Sequence, residues 1–226
     1  MGDAPQSPSA FESGESIDNA EMFPMCSRIK MQNSMAMIHI IGTCHKTQVL
    51  SDLVRKKALG AVPKQKITAF QEFLTNTARA LRVAVIGEEM SEDRIFAYGH
   101  NAVSVAQLVA KKLQIAHVFC EPDKSARREL GLRAGEEMAH HVAEIAKRTN
   151  RDVIEVHSEE VRKQFPMREA FWLSCLEPHA NNPILFICGA DHCETFLQRC
   201  TGSGVDAQVY CPDWTLTAEV PCPCCL

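Results

Sequence analysis

Two histidines end two copies of one short pattern, Gly-x-x-His. The first copy is Gly42-Thr43-Cys44-His45 and the second is Gly189-Ala190-Asp191-His192. Each copy follows an apolar run that is typical of a buried strand. We expect the glycine to let the chain turn sharply off the strand, so that the imidazole three positions later points back over the sheet edge. The pattern therefore predicts two imidazoles that converge at one edge of a sheet.

Two carboxylates and a guanidinium complete this candidate set. Glu88 and Glu89 follow another apolar run, and adjacent side chains diverge, so only one is expected to face the site. Glu88 is preferred because it directly follows the strand, and Glu89 is kept as the second candidate. Arg168 precedes Trp172 and Cys175 by four and seven residues, so it tops an otherwise apolar helix face. A guanidinium buried there needs an anion, either a structural ion-pair partner or an oxyanion or carboxylate of a substrate.

These residues could do two kinds of chemistry. His45, His192 and Glu88 match a catalytic metal site with three protein ligands and an open position, in which Mn, Zn or Co would activate water. The same residues suit a metal-free site in which one histidine is the general base and the carboxylate orients it. The sequence slightly favours the metal and leaves both alternatives open.

The eleven cysteines of the chain are a separate feature. Cys44 and Cys193 neighbour the candidate histidines, but neighbouring side chains diverge, so a shared site is not favoured. A third hypothesis makes the thiols a redox or soft-metal sensor that depends on residues 211–226. Asp123 and Asp191 also follow strand-like runs and rank below the residues named above.

Alternating strand and helix patterns must position all these residues. Buried strands are predicted at 38–41, 82–86, 115–120, 184–188 and 207–210, with an ambiguous strand at 153–156. Helices are predicted between them, including one through Val49, Leu50, Leu53 and Val54, one capped by Asn101, and one over 167–176. Apolar strands that alternate with helices predict a single-domain α/β fold, with a mostly parallel central sheet flanked by helices on both faces. In such sheets functional residues gather at the carboxyl edge.

Composition sets the broad class of the protein. The 226 residues suit one domain, and we expect a disordered tail at 1–36, an α/β core at 37–210 and an irregular Cys- and Pro-rich tail at 211–226. A net charge of −4 argues against nucleic acid as a partner, and no apolar run is long enough for a membrane helix. The polar N-terminus and the many cysteines indicate reduced thiols and a cytoplasmic location. Nothing in the sequence indicates an oligomeric state.

Over residues 37–210 the chain resembles the superfamily that joins TraB/PrgY proteins, Tiki proteases, erythromycin esterases and ChaN-like proteins. The likeness rests on Gly42-x-x-His45, Glu88-Glu89, Met167-Arg168-Glu169 and Gly189-x-x-His192, in that order. The resemblance implies a parallel sheet with a hydrolytic site at its carboxyl edge. In that superfamily, Tiki-like peptidases depend on metal, whereas erythromycin esterases use histidine as a base without metal.

Motifs and resemblance together predict a hydrolase of an ester, lactone or peptide bond, with a small molecule or a peptide as substrate. Its candidate catalytic residues are His45, Glu88, Glu89, Arg168 and His192. The alternative is a non-catalytic regulatory or sensor protein that binds a small anionic ligand or a metal in the same pocket.

Overall fold

A central sheet of five parallel strands organises the chain in a computed structural model, which describes residues 36–50 and 64–214. The strands lie in the order β5-β3-β6-β1-β7. Their bounds are Ile38–Thr43 for β1, Val85–Glu88 for β3, Ala116–Phe119 for β5, Ile184–Gly189 for β6 and Ala207–Trp214 for β7. Two further strands, β2 (Val49–Leu50) and β4 (Val103–Ser104), form a separate antiparallel pair.

Eight helices connect the strands within the described residues. They are α1 (Lys64–Ala80), α2 (Glu92–Ala97), α3 (Val105–Leu113), α4 (Lys124–Glu129), α5 (Gly135–Thr149), α6 (Val153–Lys163), α7 (Phe165–Leu176) and α8 (Cys193–Gly202). Short 3-10 turns follow β1 at His45–Thr47, α7 at Glu177–His179 and β6 at Ala190–His192.

Helices cover both faces of the sheet, because alternate residues of each buried strand point to opposite sides. On β6, Leu185 and Ile187 pack into a core with α1 and α3, whereas Ile184 and Phe186 pack into a second core with α7 and α8. Helices α5 and α6 share a smaller core of their own around Val142. The predicted single-domain α/β fold with a parallel central sheet is therefore confirmed.

The ambiguous strand predicted at 153–156 is wrong, because this segment is the first turn of α6. The Asp152 side chain accepts hydrogen bonds from the amides of Ile154, at 2.8 Å, and Glu155, at 3.2 Å, and so begins the helix. Val153 and Ile154 are 54% and 67% exposed, so their apolar character reflects neither core nor sheet.

Two other local predictions differ from the structure. Val49 and Leu50 lie in β2 and not in a helix, while Leu53 and Val54 lie outside the described residues. Ser104, not Asn101, begins α3, since its hydroxyl accepts a hydrogen bond from the Gln107 amide at 3.2 Å.

The boundaries of the core differ slightly from the prediction. Strand β7 continues through Trp214, four residues beyond the predicted end at 210, because it stays paired with β1 through the match of Thr43 with Trp214. The remainder of the predicted C-terminal tail, and the predicted N-terminal tail up to residue 35, lie outside the described residues.

The topology explains why the candidate residues can meet. Strand β6 lies between β1 and β3, and the register pairs Thr43 with Gly189 and Glu88 with Ile187. Since all three strands run in one direction, the segments after them leave from the same edge. None of the helices in the described part of the chain combines the length and the apolarity that a bilayer crossing requires.

Candidate functional site

Four of the candidate side chains meet around one carboxylate oxygen at the carboxyl edge of the sheet. Glu89 Oε1 accepts a hydrogen bond from Arg168 Nη2 and lies 3.5 Å from His45 Nε2 and 3.7 Å from His192 Nε2. His45 follows β1, Glu89 follows β3, and His192 follows β6, so three adjacent strands deliver these groups. Helix α7 brings Arg168 over the same edge.

Glu89 is the buried anchor of this cluster. Its side chain has no exposed surface, and its second oxygen, Oε2, accepts a hydrogen bond from the Gly189 amide at 2.7 Å. Burial acts to raise the pKa of Glu89, but His45, Arg168, His192 and the Gly189 amide together hold it well below its ordinary value. Glu89 is therefore a carboxylate throughout the neutral and mildly acidic range.

Arg168 links this carboxylate to a second one. Its Nη2 also donates to Glu121 Oε2 at 2.9 Å, its Nε donates to Glu121 Oε1 at 3.1 Å, and its Nη1 donates to His192 Nε2 at 3.1 Å. A guanidinium has five N–H groups, so these bonds, together with the Glu89 bond, leave one N–H on Nη1 without a partner among the described residues. Burial acts to lower the pKa of Arg168, but Glu89 and Glu121 outweigh it and keep the group charged.

His192 is held at both ring nitrogens. Nδ1 lies 3.0 Å from Glu169 Oε1, and Nε2 lies 3.1 Å from Arg168 Nη1. Because a guanidinium can only donate, Nε2 accepts and the proton is on Nδ1, where it is donated to Glu169. The ring is buried between Phe165, 3.6 Å away between ring centroids, and Trp172, 4.7 Å away. His192 is thus fixed in position and in tautomer.

His45 makes no comparable bonds. Its Nδ1 is buried without a hydrogen-bond partner among the described residues. Its Nε2 lies 3.5 Å from Glu89 Oε1, a long contact. Its side chain is 31% exposed and lines a cavity. Glu89 acts to raise the pKa of His45, but burial, Arg94 and Arg168 outweigh this effect and lower it below 6.5. His45 is therefore neutral at neutral pH and open to a ligand.

The two glycines of the Gly-x-x-His patterns permit close approach rather than a sharp turn. A Cβ at Gly42 would lie 1.9 Å from the Pro212 carbonyl oxygen. A Cβ at Gly189 would lie 3.3 Å from His45 Nε2 and 3.4 Å from Glu89 Oε2. Gly189 itself has an ordinary extended backbone, with φ −60° and ψ 142°. The expectation of a glycine-dependent turn is wrong for Gly189, because any residue can adopt this conformation.

Glu88 points away from the cluster. Its Oε1 lies 2.7 Å from His117 Nε2 on the neighbouring strand β5, and its Oε2 is buried without a hydrogen-bond partner among the described residues. The structure thus places Glu89, and not the preferred Glu88, beside His45 and His192. Adjacent side chains at a strand end face opposite sides of the sheet, and the sequence alone does not reveal which side carries the site.

Two carboxylates of the cluster are absent from the sequence-based candidate set. Glu121 follows β5 and binds Arg168, the Trp172 indole N–H at 3.0 Å, and Arg127. Glu169 binds His192 and accepts a hydrogen bond from the Thr195 hydroxyl. The sequence could have indicated Glu121 as a candidate, because it follows a predicted strand just as Glu88 and Glu89 do. Glu169 was marked only by its place beside Arg168 in the Met167-Arg168-Glu169 motif of the resemblance.

The described residues do not fit a divalent metal at this point. No group of three or more His, Cys, Asp or Glu side chains within 36–50 and 64–214 has the arrangement of a metal site. Arg168 already occupies Glu89 Oε1 and His192 Nε2, the two atoms that such an ion would need. Its fixed positive charge would also repel the ion. The predicted ligand set of His45, His192 and Glu88 is not assembled, because the Glu88 side chain is hydrogen-bonded to His117 instead.

A cavity of about 280 Å³ opens beside the cluster. Its lining includes His45 and Arg168, so it gives a small molecule access to both. Its remaining charged or titratable lining side chains are Arg94, Arg127, Arg133 and His157. Ala134 and Gly135, at the beginning of α5, also line it. None of these four cationic or imidazole side chains was a sequence-based candidate.

The thiols and aspartates of the lower-ranked hypotheses lie elsewhere. Cys193 is 4% exposed, and its Sγ lies 3.4 Å from the Pro212 carbonyl oxygen and 4.0 Å from Cys188 Sγ. Burial raises the pKa of Cys188, which makes it a poor nucleophile. Asp123 begins α4 by accepting a hydrogen bond from the Ala126 amide, and Asp191 is exposed.

No protein-family model matches this chain, and no curated protein or solved structure matches it either. The likeness to the TraB–erythromycin esterase superfamily therefore rests on the short motifs alone and stays a prediction. What the site can do must be argued from its own geometry.

Proposed function

We propose that this protein is a metal-independent hydrolase of an ester, lactone or amide bond, with His45 as its general base. One observation carries the proposal: a neutral imidazole without a hydrogen bond among the described residues lines a cavity, backed by a buried carboxylate and beside a partly free guanidinium. General bases are histidines of this kind, with a pKa near or below neutrality. The cavity volume of about 280 Å³ favours a small molecule over a peptide as substrate.

The residues can carry a complete reaction. The oxygen of a water molecule attacks the acyl carbon while His45 Nε2 takes a proton from it, since Nδ1 is buried. The carbonyl π electrons move to oxygen, and this oxyanion accepts a hydrogen bond from the unpaired Nη1–H of Arg168. When the tetrahedral intermediate collapses, the bond to the alcohol or amine breaks, and the leaving group takes the proton from His45. The products are an acid and an alcohol or amine.

Glu89 supports this cycle without exchanging a proton. Its Oε1 lies 3.5 Å from His45 Nε2, so its negative charge stabilises the imidazolium that forms during the reaction. His192 and Glu169 keep Arg168 in place, because His192 holds Nη1 and is itself fixed by Glu169. These three are positioning residues, whereas His45 and Arg168 would touch the substrate.

A substrate panel tests the proposal. Aryl esters, lactones and aryl amides are assayed with the wild type, with His45→Gln, and with His140→Gln, whose side chain is 77% exposed on α5. We expect turnover of at least one class, a loss of about 100-fold or more in His45→Gln, and no change in His140→Gln. Extensive dialysis against a chelator should leave the rate unchanged. Undiminished turnover in His45→Gln, or activity restored only by added Mn²⁺ or Zn²⁺, would contradict the proposal.

A second function, ligand binding without catalysis, is favoured by the mutual pairing of the buried charged side chains. Glu89, Glu121 and Arg168 satisfy one another, as the members of a structural ion network do. On this alternative the cavity binds a small anionic ligand without transforming it. Specific binding with no turnover of any substrate class would support the alternative over the hydrolase.

For the location of the protein we propose the cytoplasm. None of the seven cysteines within the described residues is in a disulfide bond, a state that the reducing cytoplasm maintains.

A further inference from the structure

The charge of the cavity is strongly one-sided. Among the residues that the structure describes, four arginines and no aspartate or glutamate line it; the lining arginines are Arg94, Arg127, Arg133 and Arg168. Two carboxylates lie beneath this lining, where Glu89 pairs with Arg168 and Glu121 pairs with both Arg168 and Arg127. Four guanidinium charges against two carboxylate charges leave a formal excess of two positive charges.

Two of the arginines are not engaged by those carboxylates. The side chains of Arg94 and Arg133 form no ion pair with a carboxylate of the described residues. Asp93 beside Arg94 is occupied by the Ser91 hydroxyl and by the amides of Arg94 and Lys124, so it offsets at most one charge. A positive surplus therefore remains even if Asp93 is counted.

The beginning of helix α5 adds a second, independent attraction for an anion. Helix α5 has 15 residues. Its first residue, Gly135, and the residue before it, Ala134, line the cavity. Ala134 stands at the capping position and offers no side-chain acceptor to the amides of the first turn. Such free amides, at the positive end of the helix dipole, are suited to an oxyanion.

We infer that the cavity recognises an oxyanion group of its substrate, a carboxylate or a phosphate, through Arg94, Arg127, Arg133 and the first turn of α5. The inference rests on the proposed function, because the hydrolase proposal defines the bond that is broken. The oxyanion group of the substrate would bind beside the His45 and Arg168 that act on that bond. The substrate class is then an anionic ester, lactone or amide, in which a carboxylate or phosphate lies a few bonds from the acyl carbon. A guanidinium donates charge-assisted hydrogen bonds to either group.

Anion binding is measured first, because it does not depend on catalysis. Inorganic phosphate and succinate are titrated calorimetrically into the wild type, the Arg94→Gln/Arg133→Gln double variant, and Arg128→Gln. Arg128 is exposed on α4 next to Arg127 and does not line the cavity. We expect saturable binding that weakens with salt, a loss of about tenfold for each cavity arginine removed, and no change in Arg128→Gln. The anion that binds more tightly shows whether the recognised group is a phosphate or a carboxylate.

Substrate preference is measured second. A neutral aryl ester is compared with the aryl hemiester of a dicarboxylic acid and with an aryl ester that carries a phosphate. We expect kcat/KM for an anionic ester to exceed that for the neutral ester by about tenfold or more, and this ratio to fall in Arg94→Gln/Arg133→Gln.

The outcomes separate this inference from the proposed function. Binding of phosphate or succinate at the arginines without turnover of any ester keeps the inference and removes the hydrolase. Turnover that depends on His45 but is equal for neutral and anionic esters keeps the hydrolase and overturns the inference. Anion binding that is the same in the double variant as in the wild type also overturns it, provided that circular dichroism shows the variant to be folded.

Discussion

His45 and His192 differ in what their ring nitrogens touch, although each ends a Gly-x-x-His segment. His192 bonds Glu169 and Arg168 and is stacked on Phe165. In the His45 ring, Nδ1 is buried without a hydrogen-bond partner among the described residues, Nε2 lies 3.5 Å from Glu89 Oε1, and the side chain borders the cavity. Substituting them should therefore have different consequences for stability.

His192→Ala should lower the free energy of unfolding by about 2–4 kcal/mol, because it removes packing and leaves Glu169 and an Arg168 N–H unpaired. His45→Ala should change it by less than about 1 kcal/mol, because no hydrogen bond is lost. Urea unfolding followed by circular dichroism measures both values. The opposite order would contradict the assignment of His192 to positioning and of His45 to chemistry.

The pH dependence of turnover should report the titration of His45. The charged groups that face it are Glu89, Arg94, Arg168 and Glu121, and their combined effect with burial places its pKa below 6.5. A base works only when unprotonated, so kcat/KM should level off at higher pH and fall as the pH drops through the lowered pKa of His45. A falling limb centred above 6.5 would show that another group, or a charged His45, governs the rate.

Removing one neighbour of His45 should move that limb. Arg94 lowers the pKa of His45, so in Arg94→Gln the acid limb should shift to higher pH. Arg128→Gln removes the same charge outside the cavity and should leave the limb in place. The comparison uses a neutral ester, so that loss of an anion contact does not enter. An unshifted limb in Arg94→Gln would argue against His45 as the titrating base.

At the residue scale the sequence predicted which strand ends carry polar groups but not which way each group points. It indicated the region of His45, Arg168 and His192 from spacing together with the superfamily resemblance. It could not separate Glu88 from Glu89, because the face of a parallel strand is undetermined when both faces are buried. The other three arginines of the cavity lie on two short helices and a loop, and no local pattern marks them: Arg94 is on α2, Arg127 is on α4, and Arg133 lies between α4 and α5.

At the scale of elements, the sheet edge is close-packed around Gly42, the penultimate residue of β1. Because a Cβ at Gly42 would meet the Pro212 carbonyl oxygen at 1.9 Å and Cys193 Sγ at 2.6 Å, β7 and α8 can pack here only on a glycine. Backbone atoms cannot move aside as a flexible side chain can, so the sheet itself would have to shift.

Gly42→Ala should therefore lower the free energy of unfolding by about 1–3 kcal/mol through overpacking. Gly202→Ala is the matched control, since nothing lies within 4 Å of its added Cβ and its φ is not in the left-handed region. At the end of α8 this control should be neutral or stabilising by less than about 1 kcal/mol. Equal stability of Gly42→Ala and the wild type in thermal unfolding would contradict the packing described here.

The sheet was the most predictable element, and short apolar runs without a strong period were the least. The run at 184–188 is apolar throughout because both of its faces are covered, and it forms β6. The run at 153–156 is apolar apart from Glu155 but begins a helix, because the Asp152 cap decides the local structure. A sequence predicts a helix cap only when the helix that follows has a clear hydrophobic periodicity. In α6, two exposed apolar residues at its beginning obscure that periodicity.

At the scale of the whole molecule, buried charges at the sheet edge couple stability to pH. Burial acts to raise the pKa of Glu89, but its cationic neighbours and the Gly189 amide lower it well below 4.5. A group with a lowered pKa in the folded state stabilises the fold above its unfolded pKa and loses that contribution as the pH falls below it. The stabilising contribution of Glu89 should thus be complete above 4.5 and decrease in more acidic solution.

The free energy of unfolding in urea, measured between neutral pH and strong acid, tests this linkage. The wild type should lose stability below 4.5 more steeply than Glu89→Gln, which has no carboxylate to protonate at that position. Glu72→Gln, exposed on α1, should keep the wild-type slope. Parallel curves for the wild type and Glu89→Gln would show that Glu89 contributes nothing to the acid sensitivity.

The most direct test of the proposed hydrolase is a crystal structure with an anionic phosphonate that mimics the tetrahedral intermediate of hemiester hydrolysis. Such mimics bind where the transition state is stabilised. We expect the phosphonate oxygens within hydrogen-bonding distance of both His45 Nε2 and Arg168 Nη1, with the carboxylate of the mimic on Arg94 or Arg133. A phosphonate bound outside this cavity, or one that touches neither His45 nor Arg168, would contradict the account.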